Sequence, residues 1–274
     1  MPDYETLDYR EENGVAWVTL NRPQVYNAFN TKMTDELYDV WRSLRANQDV
    51  NAVVLTAAGE KAFCTGIDRS DIDTDWRDDL EAGGQSAAYS SPFMLDDPGQ
   101  KIGPKTCDLW KPVIAAVNGM ACGGAFYMLG ECEFLIAAEH ATFFDPHVSY
   151  GMPAGFEPVH MLHKMPFGDI MRLSLMGNAE RLSAARAKEI GLVTEVVPAE
   201  RLAEHARWVA ETIASYPPLA VQATMRSLWT ARDAGHKAAL EMAYAFVAMG
   251  TTTEGLKAGQ EAFASGKRVE WQLR

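Results

Sequence analysis

His147, Glu157 and Tyr127 are side chains whose types suit proton transfer. His147 follows Pro146 and stands two residues from Asp145. A carboxylate at that spacing can offset burial and hold an imidazole near neutrality, where it serves as general acid or base. Glu157 comes just past the turn Gly151-Met-Pro-Ala-Gly155, at the start of an expected helix whose macrodipole also favours a carboxylate there. Tyr127 offers a phenolic donor, or simply a packing surface on a buried helix. Glu157-Pro-Val-His160 has the ExxH spacing of carboxylate-bridged metal sites, but no further carboxylates on neighbouring helices accompany it, and no metal is expected.

Two glycine-bearing turns offer backbone donors. Gly123-Gly124 opens a helix expected at Ala125 to Leu129, and the first amides of a helix have no partner inside it. Upstream, Ala62-Phe-Cys-Thr-Gly-Ile-Asp68 makes a second turn in which Gly66 supplies freedom and the amide of Ile67 is left unpaired. The amides of Ile67 and Gly124 together have the makings of an oxyanion hole.

Alternation of strands and helices positions these turns and indicates an α/β fold. Tyr4 to Arg10 and Val15 to Leu20 pair around Asn13-Gly14, a hairpin signal. Met33, Leu37, Val40, Trp41 and Leu44 share one face of a helix from Thr31 to Ala46. Strands are expected at Ala52 to Thr56, Val113 to Val117, Phe134 to Ala138, Thr142 to Phe144 and Val193 to Val197. Helices are expected at Glu157 to Lys164, Ile170 to Met176 and Ala184 to Ile190. After Pro198 the pattern turns helical, so the chain divides into a core at 1–198 and a helical region at 199–274. Short strands with irregular connections, and no GxGxxG loop, argue against a Rossmann fold.

Composition sets outer bounds. With 274 residues, 47% hydrophobic and 23% charged, one large soluble catalytic unit is expected. A net charge of -12 argues against nucleic acid as partner. No segment has the length of a membrane span, the start has no signal-peptide pattern, and the four cysteines lack CxxC pairing, so a cytoplasmic protein with reduced thiols is expected. The acidic stretch from Asp68 to Trp110 reads as a solvated face or loop rather than a metal site.

The chain resembles the crotonase (enoyl-CoA hydratase/isomerase) superfamily in Leu20-Asn-Arg-Pro-Gln-Val-Tyr-Asn-Ala28, Phe63-Cys-Thr-Gly-Ile-Asp68 and Val117-Asn-Gly-Met-Ala-Cys-Gly-Gly124. The likeness continues through Ala141-Thr-Phe143, Gly151-Met-Pro-Ala-Gly155, Leu182-Ser-Ala184, Gly191-Leu-Val193, Glu254-Gly-Leu256 and Phe263. It implies a spiral of β-β-α repeats with a C-terminal helical region that builds a homotrimer or a dimer of trimers. It also implies an acyl-CoA thioester substrate from a chemistry such as fatty acid metabolism. Coenzyme A would enter as part of that substrate, with no permanently bound cofactor. The resemblance makes Arg22, Ala28, Phe263 and Lys267 candidate coenzyme A contacts, and Trp76, Tyr89, Phe93 and Met94 candidate walls of the acyl pocket. Without it, Arg22 reads as a solvated turn residue and Lys267-Arg268 as a solvated tail.

The chain departs from its relatives at the catalytic positions. Hydratases of the family carry one glutamate three residues after the second oxyanion glycine and another in a later Pro-Glu pair; here Tyr127 and His147 stand there. The leading reading is an acyl-CoA enzyme of the enoyl-CoA hydratase or isomerase type that uses His147 and Glu157. A second is a hydrolase cleaving a carbon-carbon bond in a β-dicarbonyl compound, with His147 activating water. A third is an acyl-CoA binder that does no chemistry. A fold that hosts several chemistries leaves all three open.

Overall fold

The apolar run Val113–Val117 forms a strand with every side chain buried, as a strand covered on both faces requires. In the computed structural model, which describes residues 3–70, 97, 99–266 and 271–274, this strand is β5 of a six-stranded sheet. The others are β1 (Leu7–Glu12), β2 (Val15–Leu20), β3 (Ala52–Ala57), β7 (Phe134–Ala138) and β10 (Glu195–Val197), in the order β1-β2-β3-β5-β7-β10. β1 and β2 are antiparallel and all later neighbours are parallel. The hairpin closes on Asn13 and Gly14, both at positive φ, the conformation a two-residue turn needs to match strand twist.

A second, smaller sheet holds β4 (Ala62–Cys64), β6 (Met120–Cys122), β8 (Thr142–Phe144) and β9 (Leu182–Ser183), in the order β4-β6-β8-β9. β4, β6 and β8 run parallel, and β9 is antiparallel to β8. Each pair β3–β4, β5–β6 and β7–β8 therefore sends its first strand to the large sheet and its second to the small one. Helices follow: α1 (Thr31–Leu44) after β2, α2 (Gly99–Ile102), α3 (Ala125–Glu131) after β6, and α4 (Phe156–Met161) after β8, then α5 (Phe167–Met176), α6 (Ala184–Glu189) and α7 (Leu202–Ala214). α1 is capped by the Asn30 side chain, which accepts from the Met33 amide at 3.0 Å. Its apolar face is buried as the spacing predicts, and the Trp41 indole donates to the Ile102 carbonyl at 2.9 Å.

Several boundaries differ from expectation for local reasons. β1 starts at Leu7 rather than Tyr4 because the amides of Glu5 and Thr6 donate to Glu36 on α1, 2.9 Å each, instead of to a strand. α4 stops at Met161, where the Leu162 amide turns back to Val159 and Pro166 follows. β10 starts at Glu195 because the Val193 amide bonds Ala187 at the end of α6. α3 continues through Gly130 to Glu131.

The chain falls into two units, Met1–Thr212 and Ile213–Arg274. The second contains α8 (Pro218–Asp233), α9 (His236–Gly250) and α10 (Thr253–Ala264). α8 and α9 approach closely at Gly250, where an added Cβ would lie 2.4 Å from Ala223 Cβ. Leu240, Tyr244, Val247 and Phe263 of this unit are exposed. Among the described residues no helix is long and apolar enough to cross a membrane. Trp76, Tyr89, Phe93, Met94, Lys267 and Arg268 lie outside the described residues.

Within the first unit, α3 and α4 cross at Gly130. A Cβ there would sit 2.6 Å from His160 Cβ and 2.7 Å from the His160 carbonyl oxygen. Gly130→Ala gains helix propensity but must push α4 away, and overpacking of this kind costs about 1–3 kcal/mol. Urea unfolding should show a lower midpoint for Gly130→Ala at unchanged slope; an equal or higher midpoint would show that the crossing is not tight.

Candidate active site

β4, β6 and β8 end side by side, and the turns that leave them meet. Cys64 pairs with Ala121, and Cys122 with Phe144, so Gly66-Ile67, Gly123-Gly124 and Asp145-Pro146-His147 emerge at the same edge of the small sheet. An added Cβ on Gly66, at φ +85°, would lie 2.9 Å from the Gly124 nitrogen, and one on Gly123 would lie 3.6 Å from His147 Cε1. Glycine at these positions allows the three turns to touch.

The backbone sets the direction of the first amide. Phe29 forms an isolated parallel bridge with Ile67: its amide donates to the Gly66 carbonyl at 2.9 Å, and its carbonyl accepts from the Asp68 amide at 2.9 Å. Successive amides of an extended chain point to opposite sides, so the Ile67 amide points away from Phe29. The Gly124 amide caps the start of α3 without a side-chain cap. Among the described residues neither amide has a hydrogen-bond partner. Two unpaired amides at adjacent turns can hold one oxygen that is gaining negative charge.

His147, Glu157 and Tyr127 meet beside these turns. The His147 Nδ1–H donates to Asp145 Oδ1 at 2.5 Å, and the His147 amide donates to the same oxygen at 3.0 Å. Nε2 lies 3.2 Å from Glu157 Oε1. Asp145 is fully buried, and its Oδ2 has no partner among the described residues. The imidazole is thus gripped by two carboxylates, where the sequence suggested one that would keep it near neutrality. Its pKa is pushed up to about 10, first by the Asp145 hydrogen bond and then by Glu157, against burial. At neutral pH the ring is a cation. Burial opposes ionisation of Glu157, yet the His147 and Tyr127 hydrogen bonds and the His147 charge hold its carboxyl below the ordinary range.

Tyr127 is buried on α3, and its hydroxyl donates to Asp97 Oδ2 at 3.1 Å while also facing Glu157. Burial, then the Glu157 and Asp97 charges, raise the phenol above its usual range, so it acts as a neutral donor. Burial also raises the Asp97 carboxyl, against the Gly99 amide and the Tyr127 hydroxyl. The Tyr127 ring stands edge-on to His160, with centroids 5.4 Å apart, and His160 Nδ1 is 3.7 Å from Glu131 Oε1. His160 therefore faces α3 rather than forming a metal pair with Glu157. Among the described residues no group of three or more His, Cys, Asp or Glu could hold a metal.

Arg22 and Ala28 share one loop: Arg22 Nη1 donates to the Ala28 carbonyl at 2.7 Å and to Asp68 Oδ2 at 2.9 Å. Phe263 lies on α10 in the second unit, fully open to solvent. Sequence reasoning passed over Phe29, which reads as an ordinary core residue, and saw Asp97 only as part of an acidic run.

Residues 10–274 match the family model described as enoyl-CoA hydratase/isomerase. The chain is 34% identical over 252 residues to the (E)-benzylidenesuccinyl-CoA hydratase of Thauera aromatica, covering 92% of this chain and 93% of that one. It is 32% identical to the short-chain-enoyl-CoA hydratase of Clostridium acetobutylicum, covering 95% of each. Among solved structures it is similar to an enoyl-CoA hydratase/isomerase from Mycobacterium paratuberculosis, with a TM-score of 0.84, 32% identity and coverage of 99% and 100%. It is also similar to an enoyl-CoA hydratase from Bacillus anthracis, with a TM-score of 0.80, 27% identity and coverage of 96% and 97%.

The ion pair leaves a pH signature in stability. Because folding raises the His147 pKa from 6.5 to about 10, its stabilisation is complete below pH 6.5 and is lost as pH rises through about 10. Because folding lowers the Glu157 pKa from 4.5, that contribution is present above pH 4.5 and is lost as pH falls through the lowered folded value. The difference in urea midpoint between the native chain and His147→Gln should therefore shrink steadily from pH 6.5 upward. A difference that stays constant or grows with pH would show that the ring is neutral in the folded state.

Proposed function

The chain belongs to the enoyl-CoA hydratase/isomerase family, and on that premise we propose that it hydrates an α,β-unsaturated acyl-CoA thioester with His147 and Glu157 as acid and base. The observation that carries this reading is the 3.2 Å approach of His147 Nε2 to Glu157 Oε1 beside the two unpaired amides. The Ile67 and Gly124 amides hold the thioester oxygen as it becomes an enolate oxygen. A donor of this kind is worth roughly 2.7–4 kcal/mol where it has been measured. Glu157, ionised at neutral pH, takes a proton from water as the hydroxyl adds to Cβ. His147, protonated at neutral pH, gives its Nε2 proton to Cα. The cycle closes when the proton on Glu157 passes directly to His147 Nε2. Tyr127 faces Glu157 while its hydroxyl donates to Asp97, which keeps a neutral side chain beside the carboxylate.

Coenzyme A enters as part of the substrate. Its nucleotide contacts are assigned by family position to Ala28, Phe263 and Lys267, while the Arg22 guanidinium, at another such position, donates to the Ala28 carbonyl and Asp68. The helical region at 199–274 is assigned to assembly as a homotrimer or a dimer of trimers; the exposed Leu240, Tyr244 and Val247 of α9 support this, because apolar side chains grouped on a helix favour a partner surface. The Thauera relative acts on an aryl-substituted enoyl-CoA by name, so aryl and simple acyl substrates both belong in a test.

The experiment is mass-resolved product analysis with straight-chain and aryl enoyl-CoA esters and β-ketoacyl-CoA esters, run beside His147→Ala and Glu157→Gln. Gain of one water without scission, lowered roughly a hundredfold or more in each variant, is the expected result. Scission dependent on His147 would replace hydration with carbon-carbon hydrolysis, and thioester binding without any turnover would leave a binder. Tyr127→Phe should lower turnover less than either. Sedimentation of the native chain should give three or six copies, and a monomer would remove the assembly assignment.

A further inference from the structure

Arg22 lies where a coenzyme A contact is assigned, yet its side chain is turned into the protein. Its side chain is 12% exposed and that of its partner Asp68 is 9% exposed. Nη1 grips two points at once: the carbonyl of Ala28, one residue before Phe29, and the carboxylate of Asp68, one residue after Ile67. The other Asp68 oxygen accepts from the Ser70 amide at 3.1 Å and hydroxyl at 2.7 Å, which fixes how the carboxylate faces Arg22.

Phe29 touches both amide turns. Its backbone bridges the residues on either side of Ile67, and its ring lies against Gly124, where an added Cβ would be 2.7 Å from Cζ. The separation of the two turns is thus set by the direct contact of Gly66 with Gly124 and by Phe29, which packs on both with its backbone and its ring. Phe29 works as a spacer only if its backbone stays docked on Ile67, and the dock consists of two ordinary hydrogen bonds. The loop carrying it is anchored at its other end by Asn27, whose Nδ2 donates to the carbonyls of Ala58 and Ala62 at 2.9 Å each. Tyr26 and Asn27 both have positive φ, a conformation that costs free energy for non-glycine residues and needs surrounding contacts to persist.

We propose that the Arg22–Asp68 pair is a clasp that fixes the distance between the Ile67 and Gly124 amides, making Arg22 a positioning residue for the thioester-oxygen site. The inference rests on the reading of those amides as donors to that oxygen. A charge-assisted bond in a largely dehydrated place is stiffer than the two backbone bonds beside it. Small displacements of a donor weaken it disproportionately, because the amide must face the oxygen position reached in the transition state.

The test measures the infrared carbonyl frequency of an isotope-labelled enoyl-CoA thioester bound to the native chain, Arg22→Met, Asp68→Asn and the double variant. Turnover, KM and affinity for free coenzyme A are measured on the same proteins. The native chain should lower the carbonyl frequency, and each single variant should lose much of that shift. Turnover should fall roughly tenfold to a hundredfold, and affinity for coenzyme A should stay within about twofold. The double variant should be no worse than the worse single variant, because both break one clasp. Asp68→Asn keeps the side-chain shape and carries the test if Arg22→Met fails to fold. An unchanged carbonyl shift with weakened coenzyme A binding would overturn the proposal and make Arg22 a ligand contact. Absence of any shift in the native chain would instead overturn the amide reading itself.

Discussion

A single imidazole held between two buried carboxylates governs the site. Asp145 and Glu157 both lie below the surface, and buried carboxylates are costly unless something neutralises them. His147 does so from the centre, one ring nitrogen to each. Its charge therefore contributes to stability as well as to the chemistry the site can offer. The Glu157 carboxylate and the His147 imidazolium each stabilise the charge the other carries. Tyr127 completes the group, facing Glu157 while its hydroxyl donates to Asp97.

The surrounding fold brings three turns and two helices together around this ring. Parallel pairing of β4, β6 and β8 puts three turns at one edge, and the close crossing of α3 and α4 at Gly130 brings Glu157 over Tyr127. These are short elements, and their precision comes from the layers around them. The large sheet, with β5 buried along its length, supplies the apolar burial that the three-residue strands cannot supply themselves.

Much of this was legible in the sequence, and the exceptions follow from physics. Val113–Val117 and Phe134–Ala138 were found to the residue because continuous apolar runs of strand length are unambiguous between glycine and charged flanks. The helical face of Met33, Leu37, Val40, Trp41 and Leu44 was equally plain. Of the small sheet only β8 was found, at Thr142–Phe144; β4, β6 and β9 were not, because two or three residues barely display a period of two. The small sheet is thus the least legible part of the fold and also the part that holds the site. Family likeness supplied the candidates His147, Glu157 and Tyr127, but not their contacts, which depend on a helix crossing rather than on spacing. The His147 pKa was misjudged for the same reason: Asp145 is visible two residues away, whereas Glu157 reaches the ring only after the chain has turned twice.

Assembly of the site from the ends of successive repeats has a consequence for biosynthesis. Arg22, Ile67, Gly124, His147 and Glu157 are far apart along the chain, and the parallel pairings that unite them close long loops, which makes such contacts late and cooperative. A nascent polypeptide that has left the ribosome only as far as α3 contains both amide turns but neither His147 nor Glu157. The candidate site is therefore complete only once the whole stretch from β4 to α4 has folded together, and no shorter length of chain holds the whole of it.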